Sequence, residues 1–311
     1  MNKWIRGLLI TFGVCLALGG GLLIAGIAMG GTWVDATVSI GDDEYDVHDL
    51  FDHGLFIFRG STHYADDSDV PETVLTNNEL TVSGNKIRDL ELTLRSCELQ
   101  VLESEDDKLR VEIEDGQEKY ISVRQKDDKL SIIDTRKHKS HLKAFHVNLW
   151  IPADCIFDQV NMTLGAGDIQ IARLAANDIN IEGGAGKIET ESLIANEKLD
   201  ADMGAGDFYI TEAKLGETDI ECGVGRFVID RCELNGDAEI SGGVGDVTIG
   251  IVGEKEDFNY ELSCGIGELE VFDESYTSLG KDKEIDNGAR YTISLECGVG
   301  KVTVSKSEKA L

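Results

Sequence analysis

From residue 160 onward, hydrophobic and polar positions alternate with period two, in blocks about 20 residues long, each built around a glycine–apolar–glycine triplet. The aligned blocks are VNMTLGAGDIQI, INIEGGAGKIET, LDADMGAGDFYI, TDIECGVGRFVI, AEISGGVGDVTI, YELSCGIGELEV and ISLECGVGKVTV. Their glycine pairs are Gly165 and Gly167, Gly184 and Gly186, Gly204 and Gly206, Gly223 and Gly225, Gly243 and Gly245, Gly265 and Gly267, and Gly298 and Gly300. The first glycines are separated by 19, 20, 19, 20, 22 and 33 residues. Alternation means strands. A repeat near 20 is too long for a hairpin and suits one coil of a solenoid. Three rows of like residues should stack inward. Met162, Ile181, Ala201, Ile220, Ile240, Leu262 and Leu295 precede the glycines; the rows headed by Ile169 and by Ile171 follow them. The pattern predicts an all-β fold: a single elongated β-solenoid, parallel β-helix-like, with crossover chirality favouring the right hand.

Continued alternation puts the residue between the glycines, such as Ala166 or Val224, on the inward phase. Because Ile169 rather than Asp168 continues the apolar row, the register must slip by one at the second glycine. A bulge or corner there explains why glycine recurs as a structural residue. The residue after each second glycine alternates in sign over Asp168, Lys187, Asp207, Arg226 and Asp246, before Glu268 and Lys301. Parallel neighbours lie about 4.8 Å apart, so opposite charges there attract and pin coil register. This row is predicted to be an ion ladder. LRSCELQV at 94–101 aligns with LGAGDIQI at 164–171 as a degenerate coil, and KLRVEI, YISVRQ, KLSIID and FHVNLWIP read as further strands. The stretch 273–289 reads as a surface loop.

The start of the chain breaks the pattern. Leu8 to Met29 is an uncharged run of 22 residues, preceded by Lys3 and Arg6 and followed by Asp35. At about 1.5 Å per residue it spans a ~30 Å hydrocarbon layer, and the positive flank stays inside. A cleaved signal peptide is the rival reading, but the run exceeds the usual h-region and no Ala-x-Ala follows. The predicted organisation is a cytoplasmic N-terminus at 1–6, a transmembrane signal-anchor helix at 7–33, an acidic stalk at 34–78, the solenoid at 79–305 and a tail at 306–311. His48, His53 and His63 lie in the stalk and are read as solvated.

Outside residues 1–34 the chain carries 27 basic against 59 acidic residues. A nucleic-acid partner is excluded by that balance. The only basic run is RKHKSHLKAFH at 136–146, read as a solvated loop, with a contact for an acidic partner or polymer as the alternative. The glycine triplets lack the third glycine of GxGxxG, the GK[ST] of a phosphate loop and a following helix. A calcium-binding repeat is disfavoured because Lys187, Arg226 and Lys301 interrupt the aspartate row. The seven cysteines have no CxxC or CxxxH spacing. Cys222, Cys264 and Cys297 share one inward row and Cys232 another, as core filler, and a Cys264–Cys297 bridge stays open. No cofactor, no metal site and no catalytic residue is expected.

The repeated h-x-h-x-G-h-G-D/K-h-x-h, with a degenerate coil and HVNLWIP before it, resembles the bacterial "putative adhesin" family of unknown function, whose members include LiaG-like envelope proteins of Gram-positive bacteria. The resemblance covers about residues 79–305. It implies a membrane-tethered cell-surface β-solenoid, adhesin-like or envelope-associated, in some members linked to envelope stress, with an unidentified protein or envelope partner. The alternative is a solenoid enzyme acting on polysaccharide. The traced outer rows offer no adjacent carboxylates for it, and the chain is read as not an enzyme.

Overall fold

The computed structural model describes residues 37–40, 43–46, 79–114, 120–136, 144–272, 274–277 and 281–307. The predicted membrane helix at 7–33, the cytoplasmic residues 1–6, the stalk histidines and the tail beyond 307 lie outside them. Among the described residues no helix is long and apolar enough to cross a membrane. The chain divides into two compact units, Met1–Ser68 and Asp69–Leu311. In the first, β1 (Thr37–Ile40) pairs antiparallel with β2 (Asp43–Asp46), so part of the predicted irregular stalk is a short ladder.

The second unit is all β apart from two short 3-10 turns among the described residues. Its strands are β3 (Glu79–Ser83), β4 (Asp89–Ser104), β5 (Lys108–Ile113), β6 (Ile121–Lys126), β7 (Lys129–Asp134), β8 (Phe145–Pro152), β9 (Phe157–Leu234), β10 (Ala238–Val252), β11 (Phe258–Val271), β12 (Glu274–Thr277), β13 (Lys281–Ile285) and β14 (Tyr291–Ser307). β9 is extended over 78 residues and carries four of the glycine corners. Coil stacks on coil in parallel register: Leu94 on Leu164 and Val101 on Ile171 where β4 meets β9, Ile220 on Ile240 and Phe227 on Val247 where β9 meets β10. All three predicted inward rows are buried, from Met162 to Leu295, Ile169 to Val302 and Ile171 to Val304. Phe208 and Phe227, on successive coils, pack edge to face with centroids 5.2 Å apart.

Two expectations about the coils themselves are corrected. The first is the position between the glycines. Inward burial stops at Leu164 and resumes at Ile169, and Ala166 is exposed. Val224 is 39% and Ile266 49% exposed. The phase does slip by one across the corner, from Leu164 to Ile169, but the chain turns outward for the whole corner, so the residue between the glycines leaves the inward row.

The second correction is coil order. β14 lies between β10 and β11, parallel to both. The segment expected as a surface loop supplies β12 and β13, which run antiparallel along the far edge of β11. An edge strand exposes unpaired backbone groups that invite aggregation, and a chain terminus frays unless tied down. Burying the last long strand inside the stack and closing the edge with two short strands meets both conditions.

The opposite end is closed in the same manner. β7 and β8 lie parallel to β4 on the side away from β9, tracing one broken coil. β6 then pairs antiparallel with β7, and β5 with β8, with β3 outermost. Arg136, expected in a solvated basic loop, is 3% exposed. Its guanidinium donates to Asp134 at 2.6 and 2.9 Å and to the Ser96 carbonyl at 3.1 Å. This buried ion pair fills the gap where the coil is broken.

Candidate functional site

The corners set the surface. At Gly225, φ is +144°, a region L side chains rarely adopt, and a Cβ would lie 1.7 Å from the Gly206 carbonyl oxygen. Gly186, Gly206, Gly245, Gly267 and Gly300 also have positive φ. The first glycine of each pair is required for another reason. At Gly184 a Cβ would lie 2.4 Å from the Gly165 carbonyl oxygen, and at Gly204, Gly223, Gly243, Gly265 and Gly298 the same approach to the neighbouring coil is 2.4 to 2.7 Å. At the first repeat, Gly165 and Gly167 meet the carbonyls of Arg95 and Cys97 in the degenerate coil at 2.3 and 1.9 Å.

Beside the corners runs the charge row. Lys301 is in register with Asp246 on one side and Glu268 on the other. In spatial order the row therefore reads Asp168, Lys187, Asp207, Arg226, Asp246, Lys301, Glu268, alternating throughout. In chain order Asp246 and Glu268 would be successive like charges. Arg226 meets Asp207 at 2.6 Å, and that hydrogen bond holds the Asp207 carboxyl below its usual range. Lys187 turns to Glu189 in its own strand at 2.6 Å, and Lys301 reaches Glu270 at 2.7 Å and Glu268 at 3.7 Å. Tyr209 lies between Lys187 and Arg226, whose charges are 5.8 and 5.4 Å from its ring centroid. At the head of the row Glu98 is in register with Asp168 and meets His146 of β8 at 3.6 Å.

The sheet face on the other side of the corners was not singled out in the sequence. Its outward rows place Asp200, Asp219 and Glu239 on successive coils, and Glu182, Asp202 and Glu221 beside them. Burial, then Glu182, Asp200 and Asp219, raise the Asp202 pKa. Burial, then Asp202, raise that of Glu221. Lys198, 3.2 Å from Asp200, is a cation tied to this face. The signal was readable in the positions two and four before each first glycine.

The cysteines of the predicted inward rows are interior. Cys222, Cys232, Cys264 and Cys297 are buried and unbridged, and Cys264 is in register with Cys297 on the adjacent coil. Burial pushes Cys222 up to about 11, and Cys232 and Cys297 up to about 12. Such thiols are not nucleophiles at neutral pH. Among the described residues no three His, Cys, Asp or Glu are placed to hold a metal ion. An open cleft of about 360 Å³ is lined by Gln100, Gln170, Glu189, Glu191, Tyr209 and Thr211, among others. The raised carboxylates Asp202 and Glu221 line neither this cleft nor the one of about 230 Å³ around Arg231.

Residues 145–305, the glycine-cornered coils together with β8, match the sequence profile of the Toastrack DUF4097 family. The chain belongs to that family. Solved structures similar to the chain include a "putative cell adhesion protein" from Clostridium sporogenes, 14% identical, covering 74% of this chain and 99% of that one, with a TM-score of 0.31. A "putative adhesin" from Bacteroides fragilis is 15% identical over 74% of this chain and 98% of its own, with a TM-score of 0.35. A "putative lipid binding protein" from Parabacteroides distasonis is 10% identical over 74% and 98%, with a TM-score of 0.30. No curated protein matches the chain.

Proposed function

We propose that this Toastrack chain is a non-catalytic, membrane-anchored surface protein: a β-solenoid tethered through residues 7–33, with its C-terminal bulk outside, acting as an adhesin-like binding or scaffold element in an envelope-stress setting. The observation that carries the reading is the in-register parallel stacking across the glycine corners from β4 to β11. Stacking turns each outward position into a straight line of side chains, with one face acidic and the next alternating in charge. Such lines suit recognition of an extended partner. Crosslinking from intact membranes followed by pull-down tests it: recovery of one membrane or envelope protein, lost when the acidic or alternating row is neutralised, supports the reading. Protease added to intact cells should digest the C-terminal bulk and spare the N-terminus.

A second reading has one observation in its favour. Asp202 and Glu221 are carboxylates on adjacent coils, and a raised pKa such as each has is what a glycoside-cleaving acid needs, although the partner of such an acid stays ionised. They stand on an outer sheet face outside both clefts, where bulk water stays in contact with a substrate. Binding is therefore the favoured reading. Glycan cleavage by the full chain, abolished by Asp202→Asn or Glu221→Gln, would reverse that choice.

A further inference from the structure

The C-terminal strand lies between two strands that both precede it in the chain, and its ties to them are unequal. Toward β11, β14 sets Ile293 against Tyr260, Leu295 against Leu262 and Cys297 against Cys264. Lys301 bridges Glu268 and Glu270 of that strand, and the Phe272 N–H donates to the Val304 carbonyl at 2.6 Å. The turn leading into β14 is clamped to the start of β11. Asn287 donates to the carbonyls of Lys255 and Phe258, and the Asn259 side-chain oxygen accepts from the N–H groups of Asn287 and Ala289.

Toward β10 the inward pairs before the corner are smaller: Ile293 meets Ala238 and Cys297 meets Gly242, although Leu295 meets Ile240. Beyond the corner Val302 meets Val247 and Val304 meets Ile249, and the Thr292 N–H donates to the Asp237 carboxylate at 2.8 Å. Lys301 leans away from Asp246. β11 itself pairs with β12, β13 and β14, and β10 pairs with β9 and β14. Strands β11 to β14 therefore form a module joined to the stack along one seam, β10 against β14. The chain enters the module through Gly253, at φ +147°, and the 3-10 turn at Lys255–Asp257.

We propose that this seam is a joint: the β11–β14 module opens as a unit about Gly253, and the uncovered edge of β10 accepts the same module from a second copy of the chain. The edge is already complementary to that occupant, residue for residue. At the position facing Asp246 the module presents Lys301 of β14, where Glu268 of β11 would set a like charge. Exchange reproduces every seam contact, so closed and exchanged forms differ only in the hinge and in effective concentration. The net charge of −30 keeps copies apart at low salt, so exchange needs high concentration and screened charge. The product is a pair of chains joined through their capped ends.

The test uses the full chain in detergent, as two single variants, Thr248→Cys and Thr303→Cys, at facing outward positions across the seam. The two are mixed, unfolded and refolded together at high concentration and salt, then treated with a short bis-maleimide; the native thiols of the seam strands are buried. A crosslinked heterodimer, several-fold more abundant than after mixing folded chains, is expected. Val228→Cys with Thr303→Cys serves as the control, because Val228 lies one coil beyond Thr248. The pair Ser241→Cys and Glu296→Cys reads the same seam from the other face, should either first variant fold poorly. No heterodimer from either seam pair after joint refolding, or equal yields from seam and control pairs, overturns the proposal.

Discussion

Replacing Gly225 by alanine separates the two demands placed on the corner glycines. The new Cβ would stand 1.7 Å from the Gly206 carbonyl oxygen and 2.7 Å from its carbonyl carbon, on a backbone at φ +144°. Both contacted atoms are main chain, so no side chain can swing away. Relief requires the coils to part by an ångström or more, against a strand spacing of about 4.8 Å. Overpacking of this kind costs about 1–3 kcal/mol and the backbone strain about 1–3 kcal/mol. Each ladder hydrogen bond broken adds about 0.5–1.5 kcal/mol. A loss of about 3–6 kcal/mol is expected. Gly288 is the internal control: its φ is +66° and an added Cβ meets nothing within 4 Å, so alanine there costs only the left-handed strain of about 1–2 kcal/mol. Denaturant melts followed by far-ultraviolet circular dichroism give both values. If Gly225→Ala lies within about 1 kcal/mol of Gly288→Ala, the coils are not in the close contact argued here.

Removing the Arg136 side chain (Arg136→Ala) leaves Asp134 buried without its partner and should cost about 3–5 kcal/mol in the same melts; a cost under about 1 kcal/mol would mean that the pair is hydrated. On the acidic face the linkage sign is that of carboxylates with raised folded pKa. The folded state binds protons more tightly than the unfolded, so these groups disfavour folding at neutral pH and the penalty fades as pH falls through their raised pKa values. Asp202→Asn with Glu221→Gln should therefore raise the melting point at pH 7 and narrow its advantage over wild type on acidification; an advantage that grows instead contradicts the assignment. Lys301→Glu should lower the midpoint at low salt, with recovery as salt rises, because it sets an anion among Asp246, Glu268 and Glu270. Cys222, Cys232 and Cys297 should resist alkylation at pH 8 until the chain unfolds; rapid labelling mapped by peptide mass to one of these three in the native chain would place it at the surface.

The inward rows were legible because each is a column of like residues, and one coil's column fixes the next. Even Thr190, among isoleucines, keeps its place and is 3% exposed. The corner was misread because alternation was carried across it: Ala166 and Val224 fit an apolar phase by residue type, and only the outward turn of the backbone exposes them. Coil order left a trace that chain-order reading missed. Glu268 follows Asp246 as a like charge, and Lys301 is the residue that restores alternation once its strand is set between them. The long last step made a loop the natural reading of 273–289, since short edge-capping strands such as ESYT and KDKEI lack an apolar period of their own. The acidic face escaped notice because carboxylates are frequent everywhere in this chain, and only register gathers Glu182, Asp202 and Glu221 into one line.

Insertion of the last strand sets the order of the final coils, and with it the alternation of the charge row and the seam argued above. Spin labels at Ser241, Ser263 and Glu296 measure it directly, since all three occupy the same outward row. With β14 inserted, the pairs 241/296 and 263/296 lie one strand spacing apart, about 5 Å between backbones, and 241/263 lies two, about 10 Å. Dipolar broadening in the full chain should therefore be strongest for the two pairs that include position 296. If 241/263 is the strongly broadened pair and 241/296 the weak one, the coils stack in chain order and the account of this surface fails.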